Sequence, residues 1–361
     1  MTTVLFTVKT REATPFTWSA SCGMPVYATL AGVRFDRLFL DADAIAEAYT
    51  IGRPMAEALF GADVATGGPT WAGISYGHAN SLGAKLEFPE DSEVGHTPIY
   101  DSMSEGMAAL EKDVDFRRQG MFPFYLELWE KLKRAFPNEN IPFHFKAEGP
   151  ITTAWLLRGH DFFMDLMTEP GETKEFLRLV TESVIAYKRT IQRINGLPEI
   201  SPEACGLADD IAAMVPPDHW PELVLPFFEQ YFEGLMSGRR RAHIEDLAVP
   251  HLKYLDELGL SNFDPSVSPK LTAKLIRDNC HAPFQWRLNS THYVGRSPAD
   301  VERWVYEAVS DGASGIFTYV AREMCNPEDA AKVRAFIRAA NQVKKLLDDG
   351  CRREDILRRV E

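Results

Sequence analysis

The strongest constraint on how this chain folds is an alternation. From about residue 141 onward, short apolar runs end in polar residues and pass into helices. Ile141-Pro-Phe-His-Phe-Lys-Ala ends at Glu148-Gly-Pro150, and Arg241-Ala-His-Ile ends at Glu245-Asp246. Leu260-Ser-Asn-Phe ends at Asp264-Pro265, Phe284-Gln-Trp-Arg-Leu at Asn289, and Gly315-Ile-Phe-Thr-Tyr-Val near Arg322 and Glu323. Strands that alternate with helices point to parallel α/β units rather than separate blocks of each. The expected fold is a single α/β domain over residues 1–361, a (β/α)8 TIM barrel with an N-terminal extension and inserted loops. Such barrels place their active sites at the C-terminal ends of the strands. The polar residues that close each run are therefore the first candidates for function.

Helical periodicity is clearest from about Glu172 to Ile194, where Leu177, Val180, Val184, Tyr187 and Ile191 form one stripe. A second stripe, Leu223, Phe227, Tyr231 and Leu235, follows Pro216-Pro217. Asp41 and Asp43 stand where a helix cap belongs, before an alanine-rich pattern that continues to about Phe60. Further helices are expected near 104–113, 121–135, 250–258, 269–279, 298–311 and 327–348, with a short one after Gly350. A strand with a glycine-rich loop is expected over Val64–Trp71. Residues 1–40 form an N-terminal arm and first strands. Residues 72–100, rich in Gly, Pro and polar residues, suit a lid insert. There is no internal repeat.

A net charge of -13 argues against sequence-independent attraction to nucleic acid or an anionic membrane. No run approaches the roughly 18 apolar residues of a membrane span. Met1–Lys9 lacks the basic and apolar regions of a signal peptide and is read as a strand or arm. The five cysteines, Cys22, Cys205, Cys280, Cys325 and Cys351, are widely spaced and odd in number. They do not form a disulfide framework, which fits a reducing cytoplasm.

Several segments, in order, resemble the uroporphyrinogen decarboxylase superfamily. They are Glu148-Gly-Pro-Ile-Thr-Thr-Ala-Trp-Leu-Leu-Arg-Gly159 with Asp165-Leu-Met-Thr-Glu-Pro170, and Ala208-Asp-Asp-Ile211 with Pro217-Asp-His-Trp-Pro-Glu-Leu-Val-Leu-Pro-Phe227. His251-Leu-Lys-Tyr-Leu-Asp-Glu-Leu-Gly259 with Asn262-Phe-Asp-Pro265 follows, then Ser297-Pro-Ala-Asp-Val-Glu302 and Pro327-Glu-Asp329. Leu82-Gly-Ala-Lys-Leu-Glu-Phe-Pro-Glu-Asp91 resembles the zinc-dependent, corrinoid-linked methyltransferase branch. The resemblance implies one β/α barrel. In the decarboxylases an N-terminal arginine-rich motif grips the substrate's carboxylates, as guanidinium forks do. Here Phe16–Pro25 has no arginine, and none lies between Arg11 and Arg34.

The methyltransferases that act on coenzyme M bind zinc through His-x-Cys and a distant Cys. The matching place here is His243-Ile-Glu245. Residues two apart on a strand share a face, so both can reach one metal. A His/carboxylate set suits an open, Lewis-acid zinc. The third ligand is left between Cys325 and Glu323, with Arg322 also close to that position. The resemblance implies a methyltransferase that moves a methyl group from a small O- or N-methyl compound to a corrinoid protein. Those are the expected partners, with no nucleic acid and no membrane; a homodimer is the assembly to test.

Each candidate also has a plainer reading. His243 and Glu245 can form a hydrogen-bonded pair without metal. Glu148 can be a substrate partner or a helix-terminus carboxylate. Asp209 and Asp210 can orient substrate and shift one another's pKa, or cap a helix. Asp264 suits a turn. Cys22 and Cys205 suit small buried positions, His144 a barrel interior, and His78, His96 and His292 loops. The alternative activity is cofactor-free decarboxylation of a porphyrinogen. A third class is a binding protein without turnover.

Overall fold

The computed structural model describes residues 8–90 and 92–360. Apart from Val8 and Lys9, the N-terminal stretch expected as a strand or arm lies outside them, and Val8–Ala13 is helical. The chain groups into two compact units, each drawn from separated stretches. The described residues of unit one are 73–90, 92–131 and 141–261, and those of unit two are 8–72, 132–140 and 262–360.

Unit one is organised on the parallel strands Ala204–Ala208 and Arg239–His243, paired from Ala204 against Arg239 to Ala208 against His243. Leu260 and Ser261 begin the third strand of that sheet, where the Ser261 hydroxyl donates to the Arg240 carbonyl at 2.8 Å. The stripe predicted on the long helix is real: Leu177, Val180, Val184 and Tyr187 are fully buried on Pro170–Ile194. Ile191 instead lines a cavity. The second stripe is also buried, but its helix breaks between Trp220–Leu223 and Leu225–Leu235. Pro226 has no N–H and its ring crowds the carbonyl four residues back, so the helix restarts.

Residues 141–147 run extended but form no regular strand. Pro142 has no amide to donate. The segment is tied by an isolated bridge between Tyr76 and Ala147 and by Lys146 N–H donating to the Ile74 carbonyl at 3.1 Å. The expected lid is divided in character. Gly77–Ser81 is a buried helical turn, and only Leu86–Glu87 with Gly95–His96 forms a more open antiparallel pair.

Unit two holds a four-stranded parallel sheet in the order Ala65–Thr66, Thr17–Cys22, Gly315–Val320, Gln285–Leu288. Of the strand and glycine-rich loop expected over Val64–Trp71, the strand is the two residues Ala65–Thr66 and the rest is loop. Asp41 caps its helix as expected, accepting from the Asp43 and Ala44 amides. That helix then loosens through a π segment, Ala48–Gly52, before Arg53–Phe60. A Cβ at Gly52 would collide with the Tyr27 backbone, so the close crossing there requires glycine. Ser297 and Asp300 form a reciprocal capping box at the start of Pro298–Ser310. No helix among the described residues is long and apolar enough to cross a membrane.

Candidate metal centre and adjoining cavity

Two backbone bonds bring three chain segments of unit one side by side. Gly149 N–H donates to the Ala208 carbonyl at 2.6 Å, and Asp209 N–H to the His243 carbonyl at 3.1 Å. Gly149 is obligatory there, because a Cβ would strike Asp209 and Leu207. The ends at Glu148, Asp209 and His243 thus lie in one row.

Asp209 and Asp210 then part. Asp209 is fully buried and accepts from the Ile151 amide at 2.9 Å and from the Thr152 amide and hydroxyl at 2.8 Å each. It holds the N-terminus of Pro150–Arg158, where backbone amides and the helix dipole favour a carboxylate. Burial pushes its carboxyl up to about 7, while those donors pull the other way. Asp210 turns outward and accepts the Glu245 amide at 2.9 Å. Asp246, next along, adopts a left-handed backbone (φ 58°), uncommon outside glycine, and this turns the chain beside Glu245.

Asp210, His243 and Glu245 offer three ligand atoms within 4.8 Å of one another. His243 Nε2 stands 3.5 Å from Glu245 Oε1 and 3.8 Å from Asp210 Oδ1. These gaps exceed a good hydrogen bond. They approach the roughly 3.3–3.5 Å between ligands on a tetrahedral ion at about 2.0–2.1 Å from each. All three side chains are a third to a half exposed, so the group is open on one side.

Beside it lies a cavity of about 580 Å³, lined by Ser75, His144, Lys146, Glu148, Lys188 and Cys205 among others, with His243 at its edge. Burial raises the Glu148 carboxyl above its ordinary range; a Ser75 hydrogen bond opposes this, and Asp210 reinforces it. Burial lowers the Lys188 ammonium, against the opposing pull of Cys205 and Glu148. The Lys188 Nζ lies 5.2 Å from the Tyr231 ring centre. Burial, helped by Lys146, lowers His144 to about 4. Burial, then Glu148, raises Tyr76.

The structure therefore brings Glu148, Asp210, His243 and Glu245 into one neighbourhood. Cys325 is not in the metal-competent group. It lies in unit two, half-buried, with its sulfur 4.0 Å from the Val26 carbonyl and its thiol pushed up to about 11 by burial. Glu323, the other candidate for third ligand, pairs with Arg322 at 3.1 Å. Asp264 serves the turn expected of it, accepting the Ser266 amide at 2.8 Å. His78 is buried against Ser183 rather than in an open loop, and His96 lies between the Tyr76 and Trp155 rings.

Sequence reasoning missed Lys146 and Lys188, yet both had a signal. His144, Lys146 and Glu148 alternate along one extended segment and so share a face. Lys188 falls four residues after Val184 and three before Ile191, a lysine on an otherwise apolar stripe.

The profile of the uroporphyrinogen decarboxylase (URO-D) family matches residues 71–343. No curated protein sequence matches the chain significantly. Among solved structures, a methyltransferase from Methanosarcina mazei is similar, at 15% identity with a TM-score of 0.65. The match covers 94% of this chain and 99% of that one. Family and structural likeness agree on a β/α barrel, the fold expected from the alternation of strands and helices.

Proposed function

The chain belongs to the uroporphyrinogen decarboxylase family, and we propose that within it this protein is a zinc-dependent methyltransferase acting on a small O- or N-methyl compound. The observation that carries the reading is the open trio Asp210, His243 and Glu245. One imidazole and two carboxylates suit a catalytic zinc with three protein ligands and a free position. When bound there, zinc would polarise the oxygen or nitrogen that leaves as the methyl group departs.

The chain's own residues supply the rest. Glu148, whose carboxyl burial raises above its ordinary range, would donate a proton to the leaving heteroatom. Ser75 orients that carboxyl. The Asp210 contact to the Glu245 amide keeps the two carboxylates on the same side of His243. The acceptor of the methyl group is a corrinoid carried by a separate protein. The likeness to the Methanosarcina mazei methyltransferase supports this branch.

The positions of two arginines weigh against the decarboxylase reading. Arg11 donates to the carbonyls of Arg277 and Cys280, and Arg34 forks onto Asp36. Both arginines flanking the arginine-free segment are thus engaged within the protein.

The test is elemental mass spectrometry of the purified protein beside His243→Ala and Glu245→Ala. It is joined to a methyl-transfer assay with O- and N-methyl donors and reduced cobalamin. The expected result is near-stoichiometric zinc in the wild type, lost in both variants, and consumption of one donor class. Failure to take up zinc overturns the metal assignment, and turnover of a porphyrinogen in place of methyl donors moves the protein to the decarboxylase branch.

A further inference from the structure

We propose that unit two binds a small organic carboxylate on the terminal nitrogens of Arg287. The inference is independent of the zinc reading and rests on one sheet face. In the parallel ladder, Arg287 is level with Phe317 and Ser19, Gln285 with Gly315 and Thr17, and Tyr319 with Ser21. Alternate residues share a face. One face therefore presents Thr17, Ser19, Ser21, Gln285, Arg287, Phe317 and Tyr319. The other carries Ala20, Ile316, Thr318, Leu288 and Val320, all buried. The first face has hydroxyls, an amide, two rings and a single formal charge, which is positive. None of its positions bears a carboxylate, in a chain of net charge -13.

The guanidinium is held but not neutralised. Its carbon lies 6.0 Å from the Phe317 ring centre, and Nη1 donates to the Ser266 hydroxyl at a long 3.4 Å. Ser266 reaches that place through a left-handed backbone (φ 51°), which the hydrogen bond from its N–H to the Asp264 carboxylate stabilises. Nonglycine residues in that conformation carry strain and cluster where binding requires them. The Nε–H is buried with no acceptor, and Arg287 makes no ion pair among the described residues. A buried donor without a partner destabilises the fold that holds it.

Arginine's planar end matches a carboxylate bidentately. A monoanion balances the single charge, whereas phosphate would bring excess charge with no second cation on the face. The rings of Phe317 and Tyr319, the latter 38% exposed, suit an apolar body attached to the carboxylate.

The experiment is isothermal titration of the full chain, treated with chelator, with sodium benzoate. Benzamide and inorganic phosphate are the controls. Benzoate is expected to bind, benzamide not. Arg287→Gln should weaken benzoate about tenfold to a hundredfold, the worth of a charge-assisted pair. Arg287→Lys should also weaken it, because an ammonium keeps the charge without the planar fork. Should Arg287→Gln fail to fold, by its circular-dichroism melt, Arg287→Lys carries the decision. Equal benzoate affinity in wild type and the folded variants overturns the proposal, as does no binding. Phosphate binding more tightly than benzoate, and lost in the same variants, overturns the carboxylate assignment. Affinity that appears only after zinc is restored would place the ligand at the metal instead.

Discussion

The strand ends of unit one and the strand face of unit two differ in the charge they present. In unit one, Glu148, Asp210 and Glu245 gather around a single imidazole, His243. In unit two, one guanidinium stands among hydroxyls and rings with no carboxylate on its face. Both places arise from parallel strands of the same kind. Backbone architecture supplies open positions at the strands, and the side chains there decide what they attract. The first suits a metal cation, the second an organic anion. A smaller contrast inside unit one makes the same point. Asp209 and Asp210 are neighbours, yet one is sealed against a helix terminus and the other opens to the site.

The largest expected effect tests the cation side. His243→Ala should weaken zinc by about a hundredfold or more in equilibrium dialysis, since one of three protein ligands is gone. Its denaturation midpoint should hardly move, because the side chain is a third exposed. Undiminished zinc binding would remove the contrast between the two regions.

Next is the aspartate pair. Asp209→Ala should destabilise the protein by about 2–4 kcal/mol in urea unfolding, because it leaves buried donors at Ile151 and Thr152 without an acceptor. Asp210→Ala should stay within about 0.5 kcal/mol. Equal losses would show that the two carboxylates do not have separate roles.

Acid should reveal the buried histidines. His78 and His144 are lowered by burial to about 3 and about 4. A histidine whose folded pKa is depressed keeps its full contribution above its unfolded value near 6.5. That contribution is lost as pH falls toward the folded value, because the unfolded chain takes up the proton first. Stability should drop by about 1 kcal/mol per pH unit for each histidine between about pH 6.5 and 4. His144→Asn should flatten part of that slope in urea midpoints measured across pH. An unchanged slope would mean that His144 titrates freely.

The smallest effect concerns the anion side. Arg287→Met should change stability by less than about 1 kcal/mol, because losing the ring contact is offset by removing an unpartnered buried donor. A large loss would make Arg287 a structural residue rather than a binding one.

Much of the fold was legible in local pattern. The stripe through Leu177, Val180, Val184 and Tyr187, the strand at Gly315–Val320, and the caps at Asp41 and Ser297 follow from periods of 3.6 and 2 and from side chains that meet nearby amides. Glu148 and Glu245 stood out because each closes an apolar run, and His243 because it stands two residues before Glu245 at the place that resembles a zinc motif. The extended segment 141–147 was visible as a run, but not its lack of a ladder, which depends on what lies beside Pro142. Asp210 was legible as a site carboxylate but not as the third member of the metal-competent group. Cys325 and Asp210 were both chemically competent, and only packing places Asp210 beside His243.

By itself, then, the sequence determined which segments are strands or helices and which residues end them, because those outcomes depend on backbone geometry over a few residues. The tertiary structure decided the partners. Asp209 meets amides 57 and 58 residues away, and Lys188 reaches a cavity formed by segments on either side of it in the chain. Such meetings are set by how buried surfaces fit together, and no local period records them.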